Sequence, residues 1–336
     1  LEGLGQGKKG IDAYLSVLLN GKGRYKMKEI KIAIIGVGAI GSVLAAALLS
    51  KYPETILVGR KPGWEDELAS EGITVSGAIT FESPVTHYYS KIAALEDNRP
   101  LIIFLATKTF HLARVLEELK PVIKPDTKIV ATQNGLGIED LVAEKFGMDA
   151  VLRMSLNFGV ATQGPGKAAA AFFNKPNHIG GFTEENRSIG LQIAQMLTHC
   201  GLDTENVDDI KLFVWKKMVM KCTMAPICAV TNKTIKEALD FPPTREIADT
   251  CFKEALAVAG AMGYEPGEDY LNQAVSYLQK AGVHKDSMCF DIENRTPTEI
   301  DFLGAKIVAY ARQKGVPVPI FTAMTNLVKA LESNYL

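Results

Sequence analysis

Net charge is almost absent from this chain of 336 residues: 37 lysines and arginines face 38 aspartates and glutamates, for a formal charge of −1. That balance offers no basic face to nucleic acid and none to an anionic membrane, so neither is expected as a partner. Cysteine is scarce and odd in number. Cys200, Cys222, Cys228, Cys251 and Cys289 form no C-x-x-C pair and sit mostly in apolar helical surroundings. This excludes a disulfide framework and suits buried thiols in a reducing, cytoplasmic setting. The five histidines show no paired His/Cys/Asp spacing, so no metal site is expected. Long hydrophobic runs are also missing, with one exception, Ile32 to Leu49. After a lysine-bearing lead this run has the look of a signal anchor. Its 18 residues lie near the lower limit for spanning, however, and its first half holds three glycines.

That run is better read as the organising element of a nucleotide-binding fold. Ile32-Ala-Ile-Ile35 is a short β-branched strand, followed by Gly36, Gly38 and Gly41 in the spacing G-x-G-x-x-G and then by Ala- and Leu-rich helical sequence. Gly36 serves the tight strand-to-helix turn, Gly38 a close backbone approach to a pyrophosphate, and Gly41 the packing of helix on strand. The peptide groups of Val37, Ala39 and Ile40 complete the loop, and the unpaired N–H groups of the new helix face the phosphates.

Upstream of Met27 the pattern is different. Ile11, Tyr14, Leu15, Leu18 and Leu19 can form one face of a short helix, so residues 1–26 read as an extension or leader, with natural synthesis starting at Met27. Downstream, Thr55 to Val58 reads as the second strand. Where an NAD site places a carboxylate after this strand, the sequence has Gly59-Arg60-Lys61. Two cations and no acid favour a 2′-phosphate and hence NADP; a solvated basic turn is the plainer alternative. Gly72 to Tyr89 alternates like one or two strands, and Leu101 to Leu105 is an unbroken apolar strand with Lys108 after its carboxyl end. Lys128 to Ala131 is a further strand, ending at Thr132-Gln133-Asn134-Gly135, where Asn134 lies either at a ligand-binding rim or in a plain Asn-Gly turn. Strand-like pieces continue from Val151 to Phe182, and Asn186 to Cys200 reads as a helix.

Near residues 205–208 the strand signals stop, which divides the chain into an α/β domain over 27–207 and a helical domain over 208–336. The helix from Ile210 to about Pro226 is apolar nearly all round yet carries Lys216, Lys217 and Lys221. Lys217 and Lys221 share a face at i, i+4. A lysine held in such surroundings has a lowered pKa and can exchange a proton near neutrality, unless it snorkels to the surface. Thr296-Pro297-Thr298-Glu299 reads as a capping box with proline at the first helical position, giving Glu299 a purely structural explanation.

Taken together, Gly36 to Gly41, Lys108, Gln133-Asn134-Gly135, Trp215-Lys-Lys217, Ser287-Met288 and Thr298-Glu299-Ile300-Asp301 resemble the ketopantoate reductase family from about Lys28 to the carboxyl end. The resemblance implies an N-terminal Rossmann domain, an all-helical C-terminal domain and a cleft between them. It also implies NADPH-dependent reduction of ketopantoate to pantoate on the route to pantothenate and coenzyme A. Carried over by position, Lys217 is the acid that protonates the carbonyl oxygen and Glu299 the carboxylate that orders substrate and cofactor. Ser287 is then a substrate ligand, and Lys108 and Asn134 stand at the nicotinamide end. Three positions depart from the family pattern: Lys221, Ala225 and His284 replace asparagines that usually contact substrate. Lys221 is expected to favour the substrate's carboxylate and to push the Lys217 pKa down, while Ala225 leaves room. Two other readings stay open, a reductase of another branched 2-oxo acid and a non-catalytic NADP-binding sensor. A sensor needs the glycine loop but not Lys217 with Glu299. Oligomeric state is not legible, a homodimer being one option.

Overall fold

In the computed structural model, which describes residues 31–60 and 63–336, the long apolar run is divided between two short elements. Ile32–Ile35 is strand β1 and Ala39–Leu49 is helix α1. An 11-residue helix rises only about 16 Å, roughly half a bilayer's hydrocarbon core. Among the described residues no helix is long and apolar enough to cross a membrane. The leader expected over 1–26, the start at Met27 and the phosphate-reading role of Lys61 fall outside the described residues.

The chain divides into two compact units. One runs through Gln133 and resumes over Glu139–Ile210; the other comprises Asn134–Ile138 and Lys211–Leu336. In the first, β1 and α1 are followed by β2 (Ile56–Val58), α2 (Trp64–Glu71), β3 (Ile73–Gly77), β4 (Phe81–Ser83), β5 (His87–Tyr89), α3 (Leu95–Asn98) and β6 (Ile102–Leu105). Next come α4 (Leu112–Leu119), β7 (Lys128–Ala131), α5 (Ile138–Phe146), β8 (Val151–Ser155), β9 (Phe158–Gly164), β10 (Lys167–Phe173), β11 (Asn177–Gly181), α6 (Glu184–His199) and β12 (Thr204–Asn206).

The main sheet has the order β12-β11-β8-β7-β6-β1-β2-β5, and every neighbouring pair is parallel except β11 with β8. The chain leaves β1 toward β2 on one side and returns to β6 on the other, so the strand order reverses at β1. In such sheets that reversal opens a crevice at the carboxyl ends of the strands, where ligands bind. Strands β1, β2, β6, β7 and β8 are buried at every residue, which is why β1, β2 and β6 read as unbroken apolar runs, whereas β7 and β8 each bury a cation, Lys128 and Arg153.

Gly72 to Tyr89 does not form one or two strands but three, shared between two sheets. β5 edges the main sheet, whereas β3 and β4 join β9 and β10 in a second sheet ordered β4-β3-β10-β9. Two hairpins make this second sheet, joined by the parallel pair β3–β10. It lies over α1: Ile73, Val75, Ala168 and Ala170 share one apolar core with Val43 to Leu49, and the Ser83 hydroxyl donates to the Ala46 carbonyl at 2.8 Å. A helix covered by a sheet on each side has no wet face, so its composition imitates a membrane segment.

The second unit is helical among its described residues: α7 (Ile210–Thr231), α8 (Ile235–Asp240), α9 (Pro242–Ala261), α10 (Tyr270–Ala281), α11 (Ser287–Glu293), α12 (Gly304–Lys314) and α13 (Pro319–Glu332). The expectation that α7 stops near Pro226 is wrong; it continues to Thr231 with the proline inside. Proline costs a helix interior about 3 kcal/mol. Residues 222–229 are all buried, however, and each large apolar side chain among them returns roughly 1.5–3 kcal/mol. The capping box expected at Thr296–Glu299 is also absent, because no helix starts there; α12 begins at Gly304. The Thr296 hydroxyl donates to the Asp291 carbonyl instead, and the Thr298 hydroxyl accepts from the Ile300 N–H at 3.2 Å. The Thr298 N–H donates to Glu332 at 2.7 Å, so tertiary partners replace the cap.

Candidate active site

The glycine turn behaves as its spacing implies. Gly36 has φ +98°, and a Cβ there would lie 2.7 Å from the Thr107 nitrogen and 2.8 Å from the Ala106 carbonyl carbon. A Cβ on Gly41 would lie 1.8 Å from the Gly36 carbonyl oxygen. These two residues are therefore glycine for the turn's own sake. Gly38 is different: among the described residues, nothing lies within 4 Å of the place its Cβ would occupy. It is the N-cap of α1, with no side chain capping the helix and no acid in the first turn. Open space, small backbone and uncapped N–H groups together form a cradle that a pyrophosphate fits. Val37, Ala39 and Ile40 complete this loop, and the Gly36 N–H donates to the Val58 carbonyl at 2.8 Å, tying it to β2.

Beyond β2, Arg60 is half-exposed and paired with Glu118 on α4, which also faces Arg114 at 3.9 Å. A surface pair of this kind is worth about 0–1 kcal/mol, little enough for a dianionic phosphate to compete with it. Tyr88 on β5 closes over the strand end, where a Cβ on Gly59 would lie 2.5 Å from its hydroxyl. That hydroxyl is buried without a hydrogen-bond partner among the described residues, and burial, then the Glu65 charge, pushes its pKa up. Sequence reading missed Tyr88.

At the carboxyl rim, Lys108 is exposed and opens the short 3₁₀ turn Thr109–His111 after β6. The segment following β7 is held by a group the sequence did not announce. Arg153 on β8 is fully buried and donates to the carbonyls of Ala131 at 2.8 Å, Gln133 at 2.6 Å and Met154 at 2.9 Å, with the Glu139 carboxylate 3.3 Å from its Nε. Burial lowers its pKa, while the Glu139 charge and hydrogen bond oppose that shift. Asn134, half-buried, groups with the second unit, where the Leu136 N–H donates to the Phe302 carbonyl at 3.0 Å. A Cβ on Gly135 would lie 3.0 Å from the Phe302 carbonyl oxygen, and Phe302 in turn donates its N–H to the Glu299 carbonyl at 3.0 Å. Asn134 is thus strapped to the turn that carries Glu299.

The lysine helix α7 is anchored on both flanks of its lysines. Trp215 stacks on Tyr264 with ring centroids 5.6 Å apart and tilts against Tyr310 at 5.9 Å, and the Tyr270 hydroxyl donates to the Lys216 carbonyl. Lys217 is half-buried, one turn before Lys221. Lys221 itself is committed: its ammonium donates to both carboxylate oxygens of Asp286, at 2.9 and 2.7 Å, and to the Ser287 hydroxyl at 2.8 Å. Burial works to lower its pKa, but the Asp286 charge and hydrogen bonds, with Glu299 and Asp291 adding, outweigh it, so the pKa is raised. Asp286 is also the N-cap of α11, accepting from the Met288 N–H at 2.9 Å.

The second unit therefore brings together Lys221, Ser287 and Glu299, with Lys217 a turn away. Two expectations need correcting. Lys221 is not a spare cation for a substrate carboxylate, since its ammonium is paired with Asp286. Ala225 opens no room for a ligand, being fully buried in the packing of α7. His284 is half-buried in the loop before α11. Asp286 was missed, although an acid directly before Ser287 at a helix start is an N-cap signal that could have found it.

Two family models match the chain. The one described as ketopantoate reductase PanE/ApbA covers residues 32–184, and its companion, ketopantoate reductase PanE/ApbA C terminal, covers 209–332. Among curated relatives, a 2-dehydropantoate 2-reductase from Streptococcus pyogenes serotype M1 is 27% identical over 307 residues, spanning 90% of this chain and 98% of its own. Another from Pyrococcus abyssi (strain GE5 / Orsay) is 26% identical with the same coverage. Of solved structures, a 2-dehydropantoate 2-reductase from Geobacter metallireducens GS-15 superposes with TM-score 0.81 at 23% identity, over 90% of this chain and 99% of its own. D-mandelate dehydrogenase in a ternary structure with NADH and anilino(oxo)acetate reaches 0.79 at 22%, over 91% and 99%. Below 25% identity these two likenesses speak to fold.

Proposed function

The chain belongs to the ketopantoate reductase family, a family of oxidoreductases, and from that premise we propose that it reduces 2-dehydropantoate (ketopantoate) to pantoate with NADPH. The observation that supports the reading is the grouping on one helical unit of a hydroxyl, Ser287, and a carboxylate, Glu299, about the Lys221–Asp286 pair, with Lys217 one helical turn before Lys221. A protein that merely sensed the dinucleotide would need none of this grouping.

The residues fit the cofactor. Gly36 to Gly41 would hold the pyrophosphate, Arg60 the 2′-phosphate, and Lys108 and Asn134 the nicotinamide end; when bound, NADPH supplies the hydride. The other contributions belong to the chain. Lys217 holds a positive charge against the keto oxygen and donates its proton there as negative charge grows on that oxygen. Ser287 donates a hydrogen bond to the substrate, and Asn134, carrying both donor and acceptor, orients the reacting end. Glu299 accepts from substrate or cofactor hydroxyls and adds negative potential near Lys221.

A second reading keeps the chemistry and changes the acid. It is favoured by Lys221, Ala225 and His284 standing where family members usually carry asparagine, and by the fold shared with a mandelate dehydrogenase. One assay tests both: oxidation of NADPH and of NADH with ketopantoate, α-ketoisovalerate and phenyl-substituted 2-oxo acids. Ketopantoate with NADPH should give the highest kcat/KM. A higher value for another 2-oxo acid moves the substrate assignment to that acid, and no oxidation with any of them refutes the reductase reading.

A further inference from the structure

Lys221 and Asp286 lie 65 positions apart in sequence and meet in a part-buried pair, which consumes all three ammonium donors: two on Asp286 and one on the Ser287 oxygen. An ammonium has donors and no acceptor, whereas a serine hydroxyl has one donor and two lone pairs. With Lys221 Nζ 2.8 Å away, the Ser287 oxygen must therefore accept, and its single proton must point elsewhere. Ser287 is exposed at the first position of α11, and Asp286 holds that helix start by capping Met288. Both the place of the hydroxyl and the direction of its proton are thus set by its neighbours.

We propose that Lys221 is a positioning residue that, by donating to the Ser287 oxygen, turns the serine proton outward, where it donates to the carboxylate of a 2-oxo acid. The inference rests on the reductase reading above and deepens it. An asparagine at position 221 presents either its oxygen or its NH₂, and its oxygen can take the serine proton away from a ligand. A lysine removes that choice. Because Asp286 neutralises the ammonium, Lys221 acts on the ligand through the serine proton rather than through its own charge.

The test is a double-mutant cycle in steady-state kinetics. Lys221→Met alone strands the Asp286 carboxylate, so the charge-neutral variant Lys221→Met/Asp286→Asn is the working member, its new asparagine side chain still able to cap α11. Ser287→Ala is the second member, and their combination closes the cycle. KM and kcat are read with NADPH and whichever 2-oxo acid the wild type reduces best, and NADPH binding is read by fluorescence as the control for folding. Each member should raise KM about tenfold or more, the range of a hydrogen bond to a charged group, with little change in kcat or NADPH affinity. The combination should be no worse than Ser287→Ala alone, because Lys221 acts only through that hydroxyl. Effects that multiply, or a Lys221 variant with wild-type KM, overturn the inference while leaving the reductase reading intact. A wild type that reduces no 2-oxo acid fails the reductase reading, and the inference falls with it.

Discussion

Replacing Gly38 by alanine separates the fold of the glycine turn from its use. The backbone there is extended, φ −85° and ψ −160°, which alanine adopts freely, and the new methyl meets nothing within 4 Å among the described residues. The structural loss is confined to the N-cap preference, about 1 kcal/mol, or roughly 2–4 °C in Tm for a domain of this size. A bound dinucleotide changes the account, because the methyl then occupies the space its pyrophosphate needs. Overpacking of that kind costs about 1–3 kcal/mol, so NADPH affinity should fall roughly 5- to 150-fold. Gly41→Ala is the contrasting variant. Its Cβ would lie 1.8 Å from the Gly36 carbonyl oxygen, a backbone atom that cannot step aside, so the turn or the helix must move. That variant should lose stability beyond the usual overpacking range of about 3 kcal/mol. The assays are thermal melting and NADPH fluorescence titration of both proteins. A Gly38→Ala protein that binds NADPH as wild type does would refute the cradle, and an unperturbed melt for Gly41→Ala would refute the packing.

Lys217→Ala should lower kcat about 100- to 10,000-fold, the range of a lost general acid, while NADPH titration stays near wild type because the glycine turn belongs to the other unit. Arg60→Ala should weaken NADPH about 10- to 100-fold and NADH far less, and equal losses would remove Arg60 from phosphate recognition. Glu118→Gln, which frees Arg60 from its ion pair, should move NADPH affinity in the opposite direction. All five thiols are buried, with burial pushing Cys200 and Cys251 up to about 12 and Cys289 to about 11 and raising Cys222 and Cys228 as well. A disulfide reagent at a pH of about 8 should therefore titrate none of them quickly in the native protein and all five after denaturation.

The features legible in the sequence were the ones a short stretch of chain decides by itself. Strand, turn and helix from Ile32 to Leu49 are local, and each glycine's job follows from backbone geometry within a few residues. The strands β1 and β6 announced themselves because burial on both faces leaves only apolar residues. The change of character near residue 208 is likewise compositional. Local reading failed where a distant partner outweighed a nearby one. Thr296 to Glu299 has every mark of a helix start, yet Asp291 and Glu332 take the hydrogen bonds a cap would use. Pro226 has the mark of a helix end, yet the burial of residues 222–229 carries the helix through it.

The same division runs through the site. By itself the sequence determined a dinucleotide cradle, a missing carboxylate after β2, and a lysine-bearing apolar helix, because each is a pattern of neighbours. Tertiary structure alone decided what those lysines do. Lys221 looked like a free cation in the chain, but Asp286 comes from 65 positions away and turns it into half of a neutral pair. Arg153 likewise has no local sign of its task of gathering the carbonyls of Ala131 and Gln133 at the end of β7. A charge acts on whatever lies within a few ångströms of it, and for a buried side chain those neighbours are chosen by the packing of whole elements, not by the order of residues along the chain.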